Sequence, residues 1–232
     1  KYYVYWVARD GFEVPVLTQW DKLYDWLVEG LNHVTDYIRE QKMTNYLGAT
    51  VEPKPNEPRG QMFLPTSGHA AGFILGRLKE PDFWGVNPEL LQHESMALMN
   101  ASLTVGYLCA LNKLKFLHLG SQIKAQFDND FPPLTGPEGL KETVMMFHTL
   151  AQVGWRGVVE FDCHMLRAEG KPGDEENCRK QFIIYCVTAL AMALELAGRI
   201  EVPARHHSQS EADLRSIRQM CKLPEPAIRR SI

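Results

Sequence analysis

The sequence predicts an α/β protein built on a parallel sheet. Short apolar runs alternate with longer amphipathic segments five times, in strict strand–helix order. Such alternation is typical of parallel strands joined by crossover helices. Acidic side chains also gather just after the predicted strands, at the edge where parallel α/β folds bind ligands. We therefore expect an α/β domain over residues 1–200 and a short polar tail over residues 201–232.

The predicted strands are the five short apolar runs. The first of them begins within the first residues of the chain, which predicts that further sequence precedes it. Each later run follows a predicted helix and ends in polar sequence. The runs cover residues 2–6, 47–52, 83–86, 115–119 and 157–161.

The predicted helices show apolar residues at helical spacing. The first helix has its apolar face formed by Leu23, Leu27, Leu31, Val34 and Ile38. The richest apolar stretch of the chain, residues 182–197, predicts a buried helix. A further short helix is expected at 210–221. The five main helices cover residues 18–41, 66–78, 88–111, 137–153 and 175–197.

Five residues predict where these helices begin or end. Thr18 and Thr66 are suited to cap the first and second helices, and Asp21 favours the same start for the first. Pro88 suits a first helical turn, so one helix is predicted to run from residue 88 to residue 111. Gly198 is placed to end the last helix.

Composition narrows the class of protein. The chain of 232 residues is 45% hydrophobic and 23% charged, which is ordinary for a globular protein. Its net charge of −3 lacks the basic surplus that neutralises phosphates, so nucleic acid is not expected as the main partner. The sequence contains no run of 18 uncharged apolar residues, so it predicts no membrane span. The 5 cysteines form no CxxC pair, which favours reduced thiols in a cytoplasmic protein.

The alternation leaves two parallel architectures open. An open doubly wound sheet and a closed barrel both place ligands beyond the carboxyl ends of the strands. No GxGxxG turn follows any predicted strand, so a dinucleotide-binding fold has no support. Five strand–helix units are too few to close an eight-stranded barrel.

The polar segment after the second strand is the densest in chemistry. Residues 51–60 are Val-Glu-Pro-Lys-Pro-Asn-Glu-Pro-Arg-Gly, and the three prolines exclude a helix or a central strand. Glu52 and Lys54 are two residues apart and point the same way from extended chain. A carboxylate beside an ammonium suits metal ligation next to a fixed positive charge, although a solvated proline-rich turn would have the same composition.

Further acids follow three other strands. Glu89 and His93 are four residues apart, a spacing that predicts one helix face and can hold a cation. Asp128 and Asp130 lie in the loop after the fourth strand, and Asp162 follows the fifth. Each is also a common turn, cap or surface residue. Together they place so many carboxylates at one edge that mutual repulsion favours a metal site.

Several segments, in this order, resemble the xylose isomerase family. The most specific is residues 51–60, which continues into a similar Phe-Leu-Pro-Thr-Ser-Gly-His-Ala at residues 63–70. The resemblance covers about residues 1–200. The other similar segments are Tyr-Val-Tyr-Trp at 3–6, Arg-Asp-Gly at 9–11, Gly-Val-Asn-Pro-Glu at 85–89, His-Glu at 93–94, Asp-Asn-Asp at 128–130 and Phe-Asp at 161–162.

The resemblance implies a TIM (β/α)8 barrel, of which residues 1–200 would supply strand–helix units 4 to 8. It implies an aldose–ketose isomerase, an intramolecular oxidoreductase that moves a hydride between adjacent sugar carbons. It further implies interconversion of D-xylose and D-xylulose, and of D-glucose and D-fructose. The cofactors would be two divalent cations, Mg²⁺, Mn²⁺ or Co²⁺. The expected partners are a small sugar and further copies of the chain, as a homodimer or homotetramer in the cytoplasm.

The resemblance also assigns residues. Glu52, Glu89 and Asp162 would hold the first cation. Glu89 would bridge to the second, together with His93, Asp128 and Asp130. Lys54 would act with Glu52 in catalysis by donating a hydrogen bond to the sugar carbonyl oxygen, and Trp6 would form a wall of the sugar pocket.

Three departures from the family accompany these assignments. The family's fourth ligand of the first cation is an aspartate, and here the run Phe-Leu-His-Leu-Gly at 116–120 places Gly120 there. The Glu89-to-His93 spacing is one residue longer than in the family. The family's N-terminal strands, with a ring-opening His–Asp pair, and its long C-terminal oligomerisation arm have no counterpart in these 232 residues.

These departures leave alternatives open. One is an epimerase, or an isomerase of another sugar. Another is a non-catalytic homologue with an impaired metal site. A third is an abasic-site endonuclease, which shares the barrel and uses several metals, but the acidic balance and the Glu-Pro-Lys-Pro run in place of histidine-rich metal clusters disfavour it.

Overall fold

The computed structural model of the chain describes residues 1–6, 16, 18–56, 62–126, 128–136, 138–164 and 174–201. The chain divides into two compact units, Lys1–Gly198 and Arg199–Ile232. Of the second unit only residues 199–201 are described. The predicted short helix at 210–221 and the Arg-Asp-Gly segment at 9–11 lie outside the described residues.

The first unit alternates strands and helices as predicted. The predicted strand positions are confirmed to within one residue at each end. The elements in chain order are β1 (Tyr2–Trp6), α1 (Trp20–Glu40), β2 (Gly48–Glu52), α2 (Ser67–Arg77), β3 (Trp84–Val86), α3 (His93–Met96), α4 (Ala101–Ala110), β4 (Phe116–Leu119), α5 (Gly139–Gln152), β5 (Val158–Phe161) and α6 (Glu175–Gly198).

All strand pairings are parallel and join consecutive strands. β1, β2 and β3 form one sheet in that order, and β4 pairs with β5 in another. Isolated parallel bridges, Val86 to Leu114 and Glu89 to His118, connect the end of β3 to β4. A doubly wound sheet reverses its strand order at a switch point, whereas a barrel wall keeps chain order. The described strands keep chain order, as expected for the wall of a barrel.

The central strands are apolar because helices cover them. Every residue of β2 and β3 is buried, which matches the near-continuous hydrophobic runs of parallel strands. Trp84 is fully buried, and its indole N–H donates to the hydroxyl of Thr35 on α1 at 2.8 Å. That bond satisfies the one polar atom of the largest core side chain and fixes α1 against the sheet.

The helix starts test two of the predicted caps. Thr66 caps α2, since its hydroxyl accepts a hydrogen bond from the backbone N–H of His69 at 3.4 Å. The predicted cap at Thr18 is wrong. α1 begins at Trp20, with Gln19 at the cap position and no side-chain cap bond. Burial of the apolar face of α1, including Leu31 and Ile38, stabilises the helix without a cap.

The predicted single helix over residues 88–111 is wrong. The backbone there forms two helices, α3 and α4, and Glu89 lies in a bridge to β4 instead of a first helical turn. Leu98 takes a left-handed conformation with φ of 59°, which ends α3. The Asn100 side chain then accepts from the Leu103 N–H at 3.0 Å and starts α4 anew.

The prediction that residues 182–197 form a buried helix is also wrong. The buried residues of α6 are small: Cys186, Ala189, Ala193 and Ala197. Its large apolar side chains are exposed, with Ile183 at 60% and Ile184 at 58%. Among the described helices, α6 alone is long and apolar enough to cross a membrane by length and composition.

Candidate metal centre

The carboxyl ends of the parallel strands bring the predicted site residues together. Glu52 is the last residue of β2, and its register partner on β1 is Trp6. Glu89 follows β3 and bridges to His118 on β4, and Asp162 comes directly after β5. Parallel strands end at the same edge of a sheet, so side chains far apart in sequence meet there.

A first cluster consists of Glu52, Glu89 and His93, and all three are buried. One ligand atom from each lies within 4.8 Å of the others. His93 Nε2 is 2.7 Å from Glu89 Oε2, and His93 Nδ1 is 3.7 Å from Glu52 Oε1. His93 Nδ1 is also 3.2 Å from the carbonyl oxygen of Pro53. Donation from Nδ1 to that carbonyl would hold the imidazole in the tautomer that leaves Nε2 free to ligate.

A second cluster consists of Glu52, His118 and Asp162. His118 Nδ1 lies 3.0 Å from Glu52 Oε2 and 3.3 Å from Asp162 Oδ2. Glu52 therefore belongs to both clusters, and the Asn87 side-chain amide donates to its Oε2 at 3.0 Å. The sequence assignments place Glu89 as the shared residue, whereas in this geometry Glu52 is the residue common to both clusters.

The sequence assignments omitted His118 and Asn87. In the sequence, His118 stands in the run that precedes Gly120. Its position inside β4, two residues before Gly120, places both on the same face of the strand. That alternation is a signal from which His118 could have been recognised as a site residue.

The two aspartates of the loop after β4 connect to the same centre. Asp128 Oδ2 accepts from Lys54 Nζ at 2.6 Å and lies 3.5 Å from His93 Nε2. Asp130 Oδ1 accepts from the Gln92 amide at 3.3 Å, and its Oδ2 lies 3.2 Å from His164 Nδ1. Asp130 is also hydrogen-bonded to Asp128, so these contacts join all six proposed ligands and Lys54 in one network.

The electrostatics of the centre are those of crowded acids. Burial, with the nearby charges of Glu52 and Asp162, raises the pKa of Glu89 to about 7, even though His93 acts in the opposite direction. Burial alone would lower the pKa of His93, but hydrogen bonds to Asp128 and Glu89 outweigh it and raise that pKa to about 10. His93 thus provides the positive charge that holds the acids together here.

The donor set fits divalent cations. Carboxylate oxygens and imidazole nitrogens are ligands of Mg²⁺, Mn²⁺ and Co²⁺. Glu89 Oε1 is buried, and no hydrogen bond reaches it from the part of the chain that the structure describes. A buried carboxylate oxygen without a partner is costly, and a cation bound between the clusters would satisfy it.

Lys54 and Trp6 lie beside the acids. Lys54 is buried, with 6% of its surface exposed, and its Nζ lies 5.3 Å from the centre of the Trp6 ring. Trp6 is itself 39% exposed. An aromatic face next to a buried ammonium and several carboxylates is an environment in which a polar ligand with an apolar carbon skeleton can bind.

Comparison with solved structures shows the fold. A structure of L-ribulose 3-epimerase matches with a TM-score of 0.55 and 14% identity, covering 87% of this chain and 66% of that one. A D-tagatose 3-epimerase-like protein matches with a TM-score of 0.55 and 12% identity, covering 81% and 64%. The chain is thus a parallel α/β protein with the fold of the TIM-barrel epimerases.

Comparison of sequences finds relatives among the xylose isomerases. Xylose isomerase of Thermus thermophilus is 37% identical over 185 residues, 78% of this chain, and that of Thermus caldophilus is 36% identical over the same length. Over that part, the chain is similar in sequence to these xylose isomerases. The match covers 46% of each of these relatives, so the chain spans about half of their length. No family model matches the chain.

Proposed function

We propose that this chain is the later part of a (β/α)8 sugar isomerase, strand–helix units 4 to 8, and that its acidic centre interconverts D-xylose and D-xylulose. D-Glucose and D-fructose are the proposed second substrate pair. The observation that carries this proposal is the network of carboxylates and histidines at the carboxyl edge of the strands. Sequence kinship to xylose isomerases supports it.

The proposed cofactors are two divalent cations, Mg²⁺, Mn²⁺ or Co²⁺. Glu52, Glu89 and Asp162 would hold the first, and Glu89, His93, Asp128 and Asp130 the second. His118, which touches both Glu52 and Asp162, would orient the carboxylates of the first site or replace one of them. When bound, such cations stabilise negative charge on sugar oxygens during a 1,2-hydride shift.

The remaining residues of the centre would orient and polarise the sugar. Lys54 would donate a hydrogen bond from its buried ammonium to the carbonyl oxygen of the open-chain sugar. Asp128 holds that ammonium in place at 2.6 Å. Trp6 would pack against the carbon skeleton of the sugar and exclude water from one side. A fixed positive charge in a poorly hydrated site stabilises a developing oxyanion more than bulk solvent does.

The test is isomerisation by the intact protein that contains this chain. We expect D-xylulose to form from D-xylose in the presence of Mg²⁺ or Mn²⁺, and the rate to fall to background in excess EDTA. Re-addition of the cation should restore it. Absence of ketose formation from D-xylose and D-glucose, in a protein that binds two cations, would overturn the substrate proposal.

Ketose 3-epimerisation is the second candidate. The specific observation in its favour is Gly120, which lacks the side chain that the isomerase family uses as a ligand. The discriminating assay supplies L-ribulose or D-tagatose and monitors inversion at C3 by chromatography. Inversion at C3 without aldose–ketose conversion would assign the epimerase activity.

The proposed setting is cytoplasmic, with a small sugar as substrate and with neither nucleic acid nor membrane as a partner. The proposed assembly is a homodimer or homotetramer of the intact protein. The exposed apolar side chains of α6, which include Ile183, Ile184 and Val187, are the surface that such packing would cover.

A further inference from the structure

The space at Gly120 is occupied by another residue. A Cβ atom built on Gly120 would lie 1.9 Å from Gln92 Oε1, 2.3 Å from its Cδ and 2.9 Å from its Nε2. At these distances, any side chain at position 120 would require the Gln92 carboxamide to move. Glycine at this position and the position of the Gln92 carboxamide therefore depend on each other.

The orientation of the Gln92 amide follows from its neighbour. Gln92 is fully buried, and its Nε2 donates to Asp130 Oδ1 at 3.3 Å. The reverse orientation would place two oxygens against each other. The amide oxygen is therefore turned away from Asp130.

That oxygen has no partner within the described ranges. Gln92 Oε1 is buried, accepts no hydrogen bond there and lies at the point where a side chain of residue 120 would begin. A buried carbonyl without a partner is unfavourable. An amide oxygen is also a ligand that Mg²⁺ and Mn²⁺ accept.

The path of the backbone explains how Gln92 reaches this place. Glu89 bridges to His118, two residues before Gly120 on the same strand edge. The turn from Glu89 to His93 therefore lies beside the carboxyl end of β4. The Glu-to-His segment is one residue longer than in the family that it resembles, and Gln92 is part of that longer segment.

We propose that the Gln92 carboxamide oxygen provides the first cation with the ligand that Gly120 lacks. The inference rests on the proposed metal centre. Under this proposal Gln92 is a metal ligand of this chain. The extra residue between Glu89 and His93 then compensates for the absence of a side chain at position 120.

The experiment measures Mn²⁺ binding by titration calorimetry and by electron paramagnetic resonance. It compares the intact protein that contains this chain, as wild type, with its variant Gln92→Leu. Gln92→Leu should lose about 10-fold or more in affinity at one cation position, with the other nearly unchanged. Gln152→Leu, at an exposed position near the end of α5, is the matched control and should bind as the wild type does. A cation-free melt of each variant shows whether it folds.

Two further variants separate ligation from packing. Gln92→Glu should weaken the cation-free fold, because it places a carboxylate next to Asp130, yet gain more stability on adding Mn²⁺ than the wild type does. Gly120→Asp alone should destabilise the fold, whereas Gly120→Asp with Gln92→Gly should fold and recover the lost affinity. In each case the readout is binding or melting, independent of catalysis.

The outcomes distinguish this inference from the proposed function. A wild type that binds no Mn²⁺ would overturn the metal centre itself and the role of Gln92 with it. A wild type that binds two cations while a folded Gln92→Leu binds both with unchanged affinity would overturn the role of Gln92 alone. Failure of the folded double variant to regain affinity would have the same meaning.

Discussion

The charge of the Glu89 carboxylate is unfavourable in the cation-free fold but would favour cation binding. Its carboxylate is buried within reach of two other acids, and one of its oxygens has no hydrogen-bond partner among the described residues. Burial and the neighbouring acids disfavour its charged form when no cation is bound, even with His93 beside it, and a bound cation would favour that form. Glu89 is therefore expected to lower the stability of the cation-free fold and to raise the affinity for a divalent cation.

The variant Glu89→Gln tests the effect of this charge on both stability and cation binding. Removing the charge should raise the cation-free free energy of unfolding by on the order of 1 kcal/mol. It should also weaken Mn²⁺ binding at both positions, by at least about 10-fold each, because the proposed role of Glu89 is to bridge them. Asp162→Asn, the control, should affect one position. Loss of a single position in Glu89→Gln would contradict the bridging role and favour Glu52.

Lys54 allows a second test, of catalysis apart from metal binding. Its ammonium contacts Asp128 and the Trp6 ring, and its proposed role is to polarise the sugar carbonyl. We expect Lys54→Met to lower kcat by at least about 100-fold while two cations still bind. Steady-state kinetics and a parallel Mn²⁺ titration measure the two effects. A variant that keeps kcat but raises KM would assign Lys54 to binding only.

At this scale the sequence predicted which residues meet but not how they pair. Acids that follow parallel strands must share an edge, which is why Glu52, Glu89 and Asp162 could be placed together. The pairing of His118 with Glu52 depends on the register of β4 against β5 and on the bridge to Glu89. Register is a tertiary property, and no local pattern in the sequence encodes it.

The start of α2 is the element whose local chemistry is simplest. Thr66 accepts from the His69 N–H, and the next residue donates its backbone N–H to Glu94 at 2.6 Å. Thr66→Ala should lower the free energy of unfolding by about 1 kcal/mol, whereas Thr66→Ser should leave it nearly unchanged. Denaturant titration of both variants measures the difference. Equal stability of the two would show that the Glu94 contact alone starts the helix.

The elements that could not be predicted are those where tertiary contacts outweigh local preference. Residues 88–111 have helical periodicity, yet the pairing of Glu89 with β4 and the left-handed Leu98 divide them. The burial of α6 was overestimated for a related reason. Composition shows that a helix is apolar, but only the packing shows that its alanines are buried and its isoleucines exposed.

At the scale of the whole molecule, the strands at the two ends of the described order, β1 and β5, each have an edge without a described partner strand. β1 and β5 each pair with a single strand among those described, and an exposed edge presents unpaired backbone groups to solvent. Tyr3 and Tyr5 on β1 and Val158 on β5 are likewise exposed. These edges are where the proposed remaining barrel strands, or a second chain, would add.

A mass measurement on residues 1–232 tests this at the scale of the molecule. We expect light scattering to give a mass above 26.5 kDa, or heterogeneous association, and we expect no isomerase activity from this chain alone. The chain joined to the proposed remaining strands should be monodisperse and active. A lone monomer of 26.5 kDa with a cooperative melt and full activity would contradict the proposal.

The consecutive strand order has a consequence for assembly. None of the described strands has to insert between two others that are already paired, because each adds beside the strand that precedes it in the chain. Each strand is joined to its neighbour by a single crossover connection. The strands can therefore pair one after another during folding. A separately expressed polypeptide that carries the remaining units could then dock against both free ends and restore the enzyme by complementation in trans.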